Sequence, residues 1–110
     1  MTGVSMKFYS NLYTTRFYRN KKHRICRKLK SAKGNLALYV IVLSETTDLL
    51  EIYHSSILRQ SYFKEKELYV IGIAETHQKA VRLSTDIILE LYQKTGAFDI
   101  KEYTAACFNA

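Results

Sequence analysis

The chain has 110 residues, 47% of them hydrophobic and 25% charged, which is the balance of an ordinary globular domain. This length suits one domain, because either half alone would bury too little apolar surface to fold. No apolar run approaches the roughly 18 residues that a membrane-spanning helix needs, and the first residues lack the apolar core of a secretory signal. We therefore expect a soluble, cytoplasmic protein that does not associate with membranes.

The sequence contains no recognisable catalytic or metal-binding motif. Cys26 and Cys107 lie far apart without a CxxC partner, the three histidines lie in separate segments, and four isolated glycines form no phosphate-binding loop. The cations around Cys26 would favour a reactive thiolate, but its place on an apolar stripe favours a small buried residue. His54 precedes two serines without a carboxylate to orient it. We predict a protein that is not an enzyme and that uses no cofactor.

Charge is distributed unevenly along the chain. Residues 1–44 contain ten Lys or Arg residues and no acidic residue, whereas residues 45–110 contain seven basic and ten acidic residues. Clustered cations attract polyanions because binding releases counterions from phosphates. The same pattern also suits a solvated helix face, or pairing of the basic part of one copy with the acidic part of another. The sequence leaves these alternatives open.

The first predicted elements are a strand and a basic helix. The aromatic-rich segment Lys7–Tyr13 favours a strand. From about Tyr18 to Lys33, apolar residues recur every three or four positions among cations, which predicts an amphipathic helix that ends at Gly34. We predict that this helix binds the DNA or RNA backbone through eight side chains: Arg19, Lys21, Lys22, Arg24, Arg27, Lys28, Lys30 and Lys33.

Aromatic residues stand among these cations at the start of the chain. They are Phe8, Tyr9, Tyr13, Phe17 and Tyr18. Aromatic rings beside cations suit nucleobase stacking next to phosphate contacts, and they equally suit an ordinary core. Because side chains alternate along a strand, at most half of these rings can be exposed.

A nine-residue segment occurs twice. Leu38–Thr46 and Leu68–Thr76 are identical at six of nine positions, and each has the pattern of a strand followed by a polar cap. Similar demands on strands and caps explain such a match as well as duplication does. The apolar run 36–43 predicts a central strand that is buried on both faces. Gly72, inside the second copy, predicts a bulge or a close backbone approach.

Two further helices and an edge strand are predicted. Asp48 with Glu51 has capping-box spacing and indicates a short helix. After Thr76, apolar residues keep helical spacing for four turns, which predicts the principal packing helix, ending at Gly96. Phe98–Ile100 is predicted to form a short edge strand. The predicted core is Leu38, Val40, Ile41, Val42, Val70, Ile71, Ile73, Val81, Ile87, Ile88 and Leu91.

Together these elements predict a small α/β two-layer sandwich with a three- or four-stranded sheet and two or three helices, with a ferredoxin-like α+β arrangement as the alternative. A helix after Asp48 would make the two repeated strands parallel, and an irregular segment there would favour an antiparallel pair. The predicted domain spans 7–103, with 1–6 as a disordered start or vector remnant and 104–110 as a flexible tail. Aromatic surface on so small a sheet predicts a homodimer.

The segment Leu68–Glu75, the helix that follows it and the sequence Thr95-Gly96-x-Phe98-Asp99-Ile100 resemble small uncharacterised proteins of gut Firmicutes. The resemblance covers roughly 7–103 and includes no catalytic motif. It implies no activity, and it raises the expectation of a bacterial accessory protein of the kind that mobile elements encode. The alternative function is therefore a protein-interaction module, an adaptor or inhibitor that binds an acidic protein surface.

Overall fold

The computed structural model describes residues 5–31, 37–44, 50–59, 67–96, 104 and 108–109. Two short 3₁₀ turns, at Arg16–Tyr18 and Ser55–Arg59, connect regular elements. The strands and helices are β1 (Ser5–Thr14), α1 (Lys22–Ser31), β2 (Tyr39–Leu43), β3 (Leu50–His54), β4 (Glu67–Ala74), α2 (His77–Thr95) and β5 (Phe108–Asn109).

The strands form one mixed sheet in the order β3-β2-β4-β1-β5. The neighbours β1 and β4 are parallel, while β2 and β5 run antiparallel to them on either side. The strands that each helix connects, β1 with β2 and β4 with β5, therefore run antiparallel to each other, so the ferredoxin-like alternative is wrong. The strand β3 lies outside β2 and pairs with it antiparallel. The predicted small α/β sandwich is confirmed, but two of its details are wrong. The sheet of the described residues has five strands rather than three or four, and α1 and α2 lie on opposite faces of it, which makes three layers rather than two.

One face of the sheet packs against α1. Strand side chains alternate between faces, so Val40 and Val70 point to this side, where they form a buried cluster with Ile25 and Leu29 of α1. The predicted basic helix is confirmed over Lys22–Ser31, and its apolar stripe is the part that contacts the sheet.

The other face packs against α2. Ile41 and Ile71 are fully buried there beside Ile87 and Leu91. The predicted principal packing helix is therefore confirmed. Of the predicted core residues, Val81 is wrong because it is 44% exposed, and Ile88 is only partly buried at the edge of the cluster. Helical spacing identified the apolar side of α2, and that side is wider than the strip the sheet covers.

The helix predicted after Asp48 is wrong, because Leu50–His54 forms the strand β3. Asp48 itself lies outside the described residues. The segment pairs in register with β2, from Leu43 opposite Leu50 to Tyr39 opposite His54. Its alternation of apolar and polar residues fits a half-buried strand, and this pairing outweighs the local capping signal. The two repeated segments are consequently antiparallel neighbours, with Tyr39 opposite Ala74.

Both glycine predictions that fall within the described ranges are confirmed. The pairing of β2 with β4 shifts next to Gly72, where an added Cβ would lie 3.2 Å from Ile41 Cδ1 and 3.3 Å from Ile87 Cδ1. Gly96 ends α2 in the left-handed conformation, with φ 73°. At the other end of α2, the Thr76 hydroxyl accepts a 3.1 Å hydrogen bond from the Lys79 N–H.

The chain ends contribute to the sheet. The predicted first strand is confirmed and extends to Ser5, and Met6 is buried. In the segment predicted to be a tail, Thr104 is fully buried and Phe108 pairs with Tyr9 of β1. The predicted edge strand at 98–100 and the predicted helix cap at Gly34 lie outside the described residues.

Candidate functional site

The turn between β1 and α1 places a run of cations at the protein surface. Tyr18, at the end of the 3₁₀ turn, is buried in the α1-side cluster and anchors the chain. Its carbonyl accepts a 2.9 Å hydrogen bond from the Lys21 N–H, and the Lys21 carbonyl accepts a 3.0 Å bond from the Ile25 N–H, which opens α1. Arg19 and Asn20 are therefore turned outward.

A carboxylate fastens the same turn to the rest of the protein. The Thr15 hydroxyl donates to Glu75 at 2.6 Å, and the Lys79 ammonium binds the other Glu75 oxygen at 3.0 Å. Partial burial acts to raise the pKa of Glu75, but the bonds from Thr15, its own backbone N–H and Lys79 outweigh it, so the pKa is lowered. Burial raises the pKa of Tyr18, and the nearby Glu75 charge adds to that effect. Glu75 thus holds the turn as an anion whose two oxygens are both engaged.

The cations after the turn surround an open cleft of about 470 Å³ at the start of α1. Its volume falls within the range of roughly 300–1,000 Å³ that ligand sites occupy, but such sites are usually apolar and this one is cationic. The chemistry therefore suits an anion. We call this site the basic cleft, and its lining residues are Arg19, Asn20, Lys21, Lys22, His23, Arg24 and Arg27.

No carboxylate in the described part of the chain forms an ion pair with a cation of the basic cleft. The ion pairs between described residues lie outside the basic cleft. They join Lys7 with Glu67 at 3.2 Å and Lys79 with Glu75 at 3.0 Å. The Lys7 ammonium and the Tyr69 hydroxyl both bind the Glu67 carboxylate at the start of β4, and both lower its pKa. The carboxylates of these two ion pairs, Glu67 and Glu75, are thus engaged outside the cleft.

The start of α1 adds to the attraction for anions. The first turn of an α-helix leaves N–H groups without intrahelical acceptors and carries the positive end of the helix dipole. Natural helices favour acidic residues there, but the first turn of α1 contains none, and it begins with Lys22, His23 and Arg24. Cations at this position repel one another and the dipole. A bound anion would relieve both repulsions.

The structure brings together five of the eight predicted binding residues: Arg19, Lys21, Lys22, Arg24 and Arg27. Lys28 is exposed on α1 but does not line the basic cleft, Lys30 belongs to α1, and Lys33 lies outside the described residues. Sequence reasoning missed Asn20 and His23 as lining residues, because it selected side chains by charge alone.

The chain matches no known protein family, and no curated protein or solved structure shows significant similarity to it. Neither α-helix of the described part is long and apolar enough to cross a bilayer.

The other reactive side chains have local structural roles. His54 Nδ1 lies 2.8 Å from the Ser56 hydroxyl and also accepts a 3.1 Å hydrogen bond from the Ser56 N–H, so the pair closes the turn after β3. Cys26 is half-buried against the α1-side cluster. Within the described ranges, no group of three or more His, Cys, Asp or Glu side chains is arranged to hold a metal ion.

Proposed function

We propose that this protein is a cytoplasmic, non-enzymatic accessory protein that binds the backbone of nucleic acid through the basic cleft. One observation carries the proposal: five Lys and Arg side chains converge on a single open cleft, and none has a carboxylate partner within the described chain. Nucleic acid presents repeated phosphates, and each phosphate that a cation neutralises releases condensed counterions.

Little sequence preference is expected from this mode of binding. Lys and Arg contacts to phosphate position a protein on nucleic acid but do not read the bases. The positive end of α1 favours the same anionic groups through its backbone N–H donors. Affinity should therefore depend on ionic strength more strongly than on sequence.

The direct test measures binding by fluorescence anisotropy, with a labelled 20-base-pair DNA duplex and a labelled single strand at several salt concentrations. The variant Arg24→Gln/Arg27→Gln removes two cations of the cleft. If both contact phosphates, the slope of log K against log salt falls by about 1.8 on duplex, or about 1.4 on a single strand. The variant Arg82→Gln/Lys94→Gln is the matched control, because it removes two exposed cations from α2 on the opposite sheet face.

The two variants separate site binding from a general charge effect. Loss of affinity in the cleft variant alone supports the proposal. Equal losses in both variants would show that net charge, formally +7 in the parent chain, is responsible. No binding at tens of micromolar protein and low salt would refute the proposal.

The alternative, a protein-interaction module, is favoured by a different surface. Val81, Leu89 and Tyr92 of α2 are 44%, 53% and 41% exposed. Since an α-helix turns about 100° per residue, these side chains share an arc of about 80°. Several exposed apolar side chains on one side of a helix are typical of protein contacts. This apolar stripe supports binding to a protein surface, including that of a second copy in a homodimer.

A further inference from the structure

We propose that the basic cleft prefers single-stranded nucleic acid and that one unpaired base stacks on the ring of Phe17. This inference rests on the proposed function and specifies which form of nucleic acid the cleft binds. It depends on an exposed aromatic ring that lies directly beside the cations of the cleft.

Phe17 differs from the other aromatic residues near the start of the chain. Phe8, Tyr9 and Tyr18 are buried, and Tyr13 is partly buried and donates its hydroxyl hydrogen to Glu90. Phe17 is 55% exposed, which is the largest exposure among the large hydrophobic side chains of the described residues. Removal of this exposed apolar ring from water would be favourable. A planar ligand that covers the ring would therefore gain free energy.

The ring of Phe17 is held in place by its surroundings. It belongs to the 3₁₀ turn, where the Tyr18 N–H donates to the Thr15 carbonyl at 3.1 Å and the Arg19 N–H donates to the Arg16 carbonyl at 3.3 Å. The buried Tyr18 ring meets Phe17 in an edge-to-face contact, with centroids 4.9 Å apart. A base that stacks on Phe17 consequently meets a surface that is already ordered, which lowers the entropy cost of binding.

A cation links this ring to the cleft. The Lys21 ammonium, which lines the basic cleft, lies 4.5 Å from the centroid of the Phe17 ring. Arg19 follows Phe17 by two residues and also lines the cleft. With Lys21 above the ring and Tyr18 against it, 55% of Phe17 remains exposed, and this part is available to a base. Phosphates of the same strand then lie within reach of the cleft cations.

This combination favours a single strand over a duplex. Bases in a duplex are stacked on one another and offer no free face, whereas unpaired bases can stack on aromatic side chains. Aromatic stacking beside a cationic groove is the usual means of binding single strands without sequence preference. Phosphate contacts alone would not distinguish the two forms so strongly.

The test compares Phe17→Ala with Phe17→Trp on a 12-nucleotide oligothymidine and on a 12-base-pair duplex. Loss of one stacked base should weaken single-strand binding about five- to 150-fold, while duplex affinity and the salt slope stay unchanged. The Trp variant should retain single-strand binding. Since the parent chain contains no Trp, fluorescence of the new side chain reports stacking directly, and quenching by oligothymidine but not by duplex is expected.

Failure of this inference is distinguishable from failure of the proposed function. If Phe17→Ala leaves single-strand affinity unchanged, or weakens both ligands equally, the stacking proposal is wrong while cleft binding can still stand on the Arg24→Gln/Arg27→Gln result. If the parent protein binds neither ligand, both proposals are wrong. Thermal melting of Phe17→Ala checks its folding, and unquenched Trp fluorescence at saturating oligothymidine overturns the stacking proposal independently.

Discussion

The Thr15 hydroxyl donates a 2.6 Å hydrogen bond to the Glu75 carboxylate, and this contact joins the ends of the parallel strands β1 and β4. The strands end at the same edge of the sheet, where β1 continues into the turn that carries the basic cleft and β4 continues into α2. One carboxylate thus holds the cleft-bearing turn to the start of the principal helix.

Replacement of Glu75 by Gln should make stability less sensitive to acid. The hydrogen bonds to Glu75 lower its pKa in the folded state below the ordinary value of 4.5. The stability that this shift contributes is present above the unfolded-state pKa and is lost as the pH falls through the folded-state value. Urea unfolding between pH 7 and about pH 3 should show the parent more stable than Glu75→Gln at neutral pH, with the difference shrinking below about pH 4.5.

A second variant tests the origin of this effect. Thr15→Val removes the hydroxyl donor but keeps the carboxylate, so the pKa of Glu75 should rise toward its ordinary value and part of the pH dependence should disappear. A difference between the parent and Glu75→Gln that stays constant with pH would contradict the role assigned to the ionised carboxylate.

Replacement of Gly72 by Ala should destabilise the sheet. The new Cβ would lie 3.2 Å from Ile41 Cδ1, 3.3 Å from Ile87 Cδ1 and 3.3 Å from the Tyr13 carbonyl oxygen. The side-chain methyl groups can move slightly, but the backbone oxygen cannot, so overpacking should lower the free energy of unfolding by about 1–3 kcal/mol. Chemical denaturation of the variant measures this loss.

Gly96→Ala provides a contrasting control at the end of α2. No atom lies within 4 Å of an added Cβ there, but the backbone has φ 73°. The left-handed conformation alone should cost roughly 1–2 kcal/mol. Gly96→Asn should lose less, since Asn tolerates this conformation. Equal stability of Gly72→Ala and the parent would contradict the tight packing at Gly72.

Truncation of two α2 residues should separate its buried side from its exposed side. Ile87 is fully buried between the helix and the sheet, so Ile87→Ala should lower the free energy of unfolding by about 2–5 kcal/mol. Val81 is 44% exposed in the single chain, so Val81→Ala should change the free energy of unfolding by less than about 0.5 kcal/mol at protein concentrations too low for dimers. A large effect of Val81→Ala in denaturant titrations at such dilution would contradict the exposed position of this side chain.

We expect the chain to form a homodimer through the apolar stripe of α2. Sedimentation at micromolar protein and moderate salt should give twice the 12.8 kDa of one chain. Leu89 is the most exposed residue of this stripe, at 53%, and Leu89→Glu should yield a monomer, because a charge would be desolvated in the contact. Lys94→Gln changes net charge by the same amount away from the stripe and should leave the dimer intact. A parent chain that stays monomeric at high concentration would contradict the expectation.

Regular elements with strong periodic patterns could be predicted from the sequence. The apolar spacing of α2, with Thr76 before it and Gly96 after it, specifies a helix and both of its ends through local chemistry. The unbroken apolar run at β2 likewise specifies a central strand, since only burial on both faces suits it. The positive charge of the basic cleft could also be predicted, because residues 1–44 contain ten basic residues and no acidic residue.

Other features depended on contacts between distant parts of the chain. Leu50–His54 is a strand because β2 offers a pairing edge, and the capping-box spacing of Asp48 and Glu51 carries no information about that partner. The exposure of Phe17 depends on how Tyr18 fills the core beside it, which spacing along one segment does not determine.

The sequence by itself determined the α/β class, the principal helix and the concentration of positive charge near the start of the chain, because these follow from local periodicity and composition. Only the tertiary structure decided that β2 and β4 are antiparallel, that Glu75 reaches Thr15, and that five of the cations share one cleft beside an exposed ring. These features join residues up to 60 positions apart, and such pairings are fixed by the packing of the whole sheet.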